Sequence, residues 1–82
     1  MILDIDRGHL RVRLGDRTVR VPGEMFFPGN DKMGFAVYSD LLGQQHWEAP
    51  HADQALTPEE VETVLNTVRA EFQRGGHALE VE

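Results

Sequence analysis

Apolar and polar residues alternate with a period of two along the first 21 positions. In ILDID, HLRVRL and RTVRV one set is Leu3, Ile5, Leu10, Val12, Leu14, Val19 and Val21, and the other is charged or polar, which is the pattern of half-buried strands. Three strands are predicted, joined by two-residue turns at Arg7-Gly8 and Gly15-Asp16, where glycine provides the backbone freedom a tight hairpin needs. These turn lengths fix a register. Asp6 stands opposite His9, Ile5 opposite Leu10, Asp4 opposite Arg11 and Leu3 opposite Val12; across the second turn Val12 meets Val19, Arg11 meets Arg20 and Leu10 meets Val21. The inward rows are then Leu3, Val12, Val19 and Ile5, Leu10, Val21. On the other face Asp4 offsets the repulsion between Arg11 and Arg20.

The alternation stops at Pro22. Proline lacks a ladder donor and Gly23 permits a sharp turn, so the meander is expected to change direction there, with MFF as a short strand or bulged edge before a turn over 28–31. Successive strand residues face opposite sides, so Phe26 and Phe27 cannot both enter one core. One is expected in the core and the other at an edge or a partner. GFAVY (34–38) reads as the next strand and QQHWE (44–48) as a further one.

At residue 57 the period becomes helical. Thr57 is an N-cap, Pro58 takes N1 and Glu60 at N3 completes a capping box, while Glu59 and Glu60 suit the positive end of the helix dipole. Val61, Val64, Leu65, Val68 and Phe72 form the core-facing stripe, and Gly75-Gly76 ends the helix. HALEVE then alternates again as a last strand, Leu79 and Val81 inward. The expected fold is α+β: an antiparallel β-meander of five or six strands packed against one C-terminal helix and followed by a final strand, with residues 1–82 as one domain.

The chain has 82 residues, enough for one modest core, and a homodimer would add stability. It contains no cysteine, which removes disulfides, thiolate metal sites and thiol nucleophiles and fits a reducing cytoplasm. No apolar run approaches the roughly 20 residues of a membrane span. MILDIDRG carries aspartates where a signal peptide has a basic region, so the mature chain is expected to start at Met1. The net charge of −6 is unevenly spread: residues 1–21 hold five Arg against three Asp, and residues 22–82 hold three basic and eleven acidic side chains. That balance argues against a protein that wraps nucleic acid and favours a basic partner.

Candidate chemistry is sparse. His46, His51 and Asp53 are the one group with metal-ligand character, but their spacing fits no helical pair, and ordinary polar loop residues explain them better. Ser39-Asp40 with His46 lacks the strand-turn-helix setting of an activated serine. No glycine pattern matches a phosphate loop. No catalytic residue, metal or cofactor is therefore expected. Arg11, Arg13 and Arg20 form a possible nucleic-acid stripe, against which stands a solvated sheet face balanced by Asp4. Trp47 has two readings, burial against the C-terminal helix or an interface anchor.

Taken together, Pro22-Gly23-Glu24 after three short strands, the Trp47-Glu48 pair, and the capped helix with a final strand resemble a family of small bacterial immunity proteins. Such proteins are encoded beside toxins of polymorphic or contact-dependent inhibition systems. The resemblance implies a non-enzymatic protein without cofactor that neutralises a cognate toxin by binding it. Many such toxins are nucleases with basic sites, toward which an acidic protein is steered. The expected contact surface is Glu24, Met25, Phe26 and Phe27 together with Asp40, Trp47 and Glu48, where carboxylates flank apolar side chains. Alternatives are a small nucleic-acid-binding or regulatory module using the arginine face, and a structural homodimer.

Overall fold

A computed structural model describes residues 1–27, 29 and 33–82. The strands are β1 (Ile2–Ile5), β2 (His9–Leu14), β3 (Arg17–Phe26), β4 (Gly34–Val37) and β5 (Ala78–Val81), and the helices are α1 (Ser39–Leu42) and α2 (Pro58–Gly75). They form one five-stranded sheet in the order β1-β2-β3-β4-β5. The fold is α+β and the sheet is antiparallel except at β4–β5. That last pair runs parallel, and α1, the following loop and α2 supply the long crossover that a parallel pair requires.

The second hairpin has the expected register, with Leu10 opposite Val21, Arg11 opposite Arg20 and Val12 opposite Val19. Gly15 takes a φ of 64° in its turn. The first hairpin keeps Asp4 opposite Arg11 and Ile5 opposite Leu10, but a bulge at Leu3 puts Ile2 opposite Val12. The Ile2 N–H donates to Glu71 Oε2 of α2 at 2.9 Å, which holds Ile2 against the core and leaves Leu3 exposed. The expected inward placement of Leu3 is thus corrected, while Ile5 keeps its place beside Leu10 on the inner face and is 37% exposed at the sheet edge.

Pro22-Gly23 does not turn the chain. β3 runs straight through it for 10 residues and changes neighbours there, Arg17–Pro22 pairing with β2 and Gly23–Phe26 with β4. Pro22 is tolerated because it sits at the end of the β2 ladder. Gly23 is required by the close approach of β4, since a Cβ there would lie 2.1 Å from the Ala36 carbonyl oxygen and 2.4 Å from Phe35 Cε1. The turn expected over 28–31 lies outside the described residues, apart from Gly29 with a φ of 93°.

α2 has the predicted limits. Thr57 Oγ1 accepts from the Glu60 N–H, Glu60 Oε1 accepts from the Thr57 N–H, and Gly76 closes the helix at a φ of 73°. Its stripe of Val64, Leu65, Val68 and Phe72 packs with Leu10, Val12, Val19, Val21, Phe35, Val37, Leu42, Trp47 and Leu56 into one core cluster. QQHWE is not a strand. His46 makes a single bridge to Ala55, so residues 44–56 form a loop folded on itself, and α1 was not foreseen.

The aromatic pair also differs from expectation. Met25 is the residue that packs on the core. Phe26, on the other face, lays its ring over Gly34, an aromatic covering a cross-strand glycine, and Phe27 is 76% exposed. Neither phenylalanine belongs to the core cluster.

Candidate functional site

α2 covers one face of the sheet. On the opposite, outer face alternation places Asp4, His9, Arg11, Arg13, Thr18 and Arg20 over β1–β3, and Glu24, Phe26, Gly34, Ala36, Ala78 and Glu80 over β3–β5. The two halves differ in chemistry because each is built from a different segment of the charge distribution.

In the first half Arg11 is paired with two carboxylates. Arg11 donates through Nη1 to Asp4 Oδ2 (2.9 Å), through Nε to Glu48 Oε2 (3.1 Å) and through Nη2 to Glu48 Oε1 (2.9 Å). These charge-assisted bonds raise the guanidinium pKa further, the bond to Glu48 first. With Arg11 held between two carboxylates, the proposed nucleic-acid stripe loses its middle residue.

Glu48 reaches Arg11 because the 44–56 loop is stitched to the stretch of β3 that β4 leaves unpaired. The Glu48 N–H donates to the Thr18 carbonyl at 2.7 Å, and Trp47 and Leu56 bond within the loop to Gln54 and Gln45. Trp47 and Glu48 then point to opposite faces. Trp47 enters the core at 1% exposure, and the Arg17 guanidinium stacks 4.2 Å from its ring centroid, a cation–π contact. Arg17 also donates to Gln54 Oε1 and Glu60 Oε2, tying sheet, loop and helix together. Of the two readings of Trp47, burial is the observed one.

The second half carries no Lys or Arg in residues 22–26, 34–37 or 78–82. Glu24 pairs across to Ala36, and Ala36 to Glu80, so two exposed carboxylates flank a buried alanine. Tyr38 Oη donates to Glu24 Oε2 at 3.0 Å, and this bond, with burial and the nearby charges of Glu24 and Glu82, raises the phenol pKa. Phe26 borders the row, and Phe27 projects beyond it.

The predicted contact residues are therefore divided. Glu24, Phe26 and Phe27 lie at the end of β3, and Asp40 is exposed in the first turn of α1, two residues past Tyr38. Met25 faces the core. Trp47 and Glu48 join β3 at Thr18, six residues from Glu24, about 20 Å along an extended strand. Glu80 and Tyr38 were missed, because their place beside Glu24 follows from strand pairings that sequence separation hides.

Catalytic and metal candidates do not assemble. His46 Nδ1 lies 3.0 Å from the Ala52 carbonyl, His51 Nε2 lies 3.8 Å from Asp16 Oδ2, and the Ser39 hydroxyl donates to the Glu82 carbonyl. No group of three or more His, Asp or Glu side chains among the described residues is placed to hold a metal ion. Two shallow clefts are lined by Thr67, Ala70, Glu71, Gln73 and Arg74, and by Gly43, Leu56, Pro58, Val61 and Glu62. Neither contains a histidine, and the Thr67 hydroxyl donates to the Thr63 carbonyl at 2.9 Å. No described helix is long and apolar enough to cross a membrane.

Residues 2–82 match the model of the family described as Immunity protein 74. The chain belongs to that family. No curated protein and no solved structure gave a significant match. Immunity protein 74 is an immunity-protein family of toxin systems, in agreement with the resemblance drawn from Pro22-Gly23-Glu24 and Trp47-Glu48. In this Immunity protein 74 member each of those residues has an internal partner: Pro22-Gly23 is where β3 changes neighbours, Glu24 accepts from Tyr38, Trp47 fills the core and Glu48 clamps Arg11.

The clamp has a pH signature. Hydrogen bonding to Arg11, followed by its charge and those of Arg20 and His9, lowers the Glu48 pKa against the opposing effect of burial. A lowered folded-state pKa gives stability that is present above the unfolded value of about 4.3 and is lost as pH falls through the folded value. Thermal midpoints measured from about pH 6 to pH 3 should fall on acidification, and Glu48→Gln should flatten part of that fall. The remainder belongs to groups such as Glu60, lowered mainly by the Thr57 backbone N–H, and Asp6, lowered mainly by that of Gly8.

Proposed function

We propose that this Immunity protein 74 member neutralises a cognate toxin by binding it and covering the surface the toxin acts with. The observation that carries this reading is the family match over residues 2–82. It is supported by the net charge of −6, by the absence of Lys and Arg from residues 22–26, 34–37 and 78–82, and by Phe27 at 76% exposure. The contact surface is Glu24, Phe26 and Phe27 with Asp40. Trp47 and Met25 support that surface from the core, and Glu48 supports the sheet rather than the contact. Binding alone accomplishes the task, so the protein performs no reaction and needs no cofactor, and it acts in the cytoplasm as one domain. The complementary toxin surface is basic, of the kind that binds phosphates.

Electrostatic attraction of this sort sets the encounter rate, and an aromatic seated in a pocket sets the lifetime of the complex. Coexpression with the toxin domain encoded immediately upstream should rescue growth, and a tagged chain should capture that domain. Phe27→Ala should leave the thermal transition intact and accelerate dissociation, burial of a phenylalanine being worth roughly 1.5–3 kcal/mol. Failure of both rescue and capture by the wild-type chain would sink the reading.

A further inference from the structure

β5 forms one edge of the sheet with half of its main chain unused. The Ala78 N–H donates to the Met33 carbonyl (3.2 Å) and the Glu82 N–H to that of Val37 (2.8 Å). Alternation along a parallel ladder therefore turns the amides and carbonyls of Ala78, Glu80 and Glu82 toward β4 and those of Leu79 and Val81 away from it. Among the described residues nothing bonds the outward groups. Other open stretches of the sheet are interrupted or partly covered. At β1 a bulge interrupts the strand and Glu71 holds the Ile2 amide. Along β3 the Arg7 and Gly8 carbonyls accept from Met25 and Gly23, and the Glu48 amide takes the Thr18 carbonyl.

The edge also has a charge pattern. Glu80 extends the row of Glu24 and Ala36 on the outer face, while on the inner face Leu79 packs at the border of the core and Val81 is 38% exposed. A strand laid along β5 would place its side chains alternately beside a carboxylate and beside apolar surface. Outward donors and acceptors repeat every two residues, about 6.6 Å, a spacing that another extended chain satisfies along its length.

We propose that the toxin docks by adding an extended segment, alternating cationic and apolar side chains, to the free edge of β5. This rests on the neutralisation reading and gives its mode of contact. A second copy of this chain suits the edge less well, because two-fold pairing of β5 with itself brings like charges at Glu80 together.

The test uses Val81→Pro and Glu80→Lys in the full chain, with binding kinetics measured against the toxin domain encoded immediately upstream. A proline at 81 removes an amide that faces away from β4, an edge position where proline is tolerated, so far-UV circular dichroism and the thermal transition should remain native. Its affinity should fall about tenfold or more, the cost of one main-chain hydrogen bond and the strand that carries it. Glu80→Lys should lower the association rate and weaken its salt dependence. A folded Val81→Pro that binds as tightly as the wild type overturns the proposal, and so does an unchanged association rate for Glu80→Lys, which decides the matter if the proline variant does not fold. A wild-type dimer that Val81→Pro dissociates would likewise overturn it, by giving the edge to a second copy. In each of these cases the wild type still binds the toxin; if it does not, the neutralisation reading itself fails and the docking mode with it.

Discussion

Val12→Asp is expected to abolish the cooperative thermal transition of the protein. Val12 is fully buried, paired with Val19 on one side and Ile2 on the other, within the apolar layer that α2 covers. A carboxylate there has no partner: the nearest cation on β2, Arg11, faces the opposite side and is held by Asp4 and Glu48. Burying an unpaired charge costs several kcal/mol even after the group protonates, against a total stability of about 5–15 kcal/mol for a domain and the lower end for one this small. Circular dichroism melts of the variant should show a broad, non-cooperative change. A native transition would mean that the alternation of residues 9–14 was assigned to the wrong face.

Trp47→Ala comes next in size. Removing a fully buried tryptophan typically costs about 3–5 kcal/mol, and here the loss extends beyond the cavity. Arg17 loses the ring it stacks on, and the loop loses the side chain that anchors it beside Thr18, which loosens the Glu48–Arg11 clamp on the other face. Trp47→Phe keeps most of the apolar volume and should retain a folded protein. Because Trp47 is the only tryptophan, the denaturant titrations need far-UV circular dichroism rather than intrinsic fluorescence. A midpoint for Trp47→Ala close to that of the wild type would contradict the central place given to this side chain.

The elements that local chemistry determines were legible in the sequence. The register of the 9–14 and 17–22 strands follows from a two-residue turn and strict alternation, and both limits of α2 follow from Thr57, Glu60 and Gly76. What the sequence hid depends on contacts between distant segments. Leu3 alternates correctly, yet a bulge there puts Ile2 opposite Val12, and Glu71, 69 residues away in α2, holds the Ile2 amide. Pro22-Gly23 has the composition of a turn, and only the approach of β4 explains why Gly23 is needed in a continuous strand. QQHWE reads as a further strand, but only Glu48 bonds to the open edge of β3, at Thr18, and the segment is part of a loop.

The candidate site was legible to the same extent. Glu24 and Phe27 are exposed, but the expectation that one of Phe26 and Phe27 is core fails, because Phe26 covers Gly34 on the outer face instead. Trp47 carries an aromatic surface that sequence alone reads equally well as core or interface, and the fold assigns it to the core. Glu80 joins Glu24 only through Ala36, a pairing created by the parallel return of β5.

Hydrogen–deuterium exchange of this chain, alone and with the toxin domain encoded immediately upstream, tests the central claim of neutralisation by binding most directly. Slowed exchange in residues 24–27 and 78–82, with that of residues 44–56 unchanged, is the predicted result. No protection anywhere in the chain at saturating toxin, or protection confined to the exposed face of α2, would contradict it.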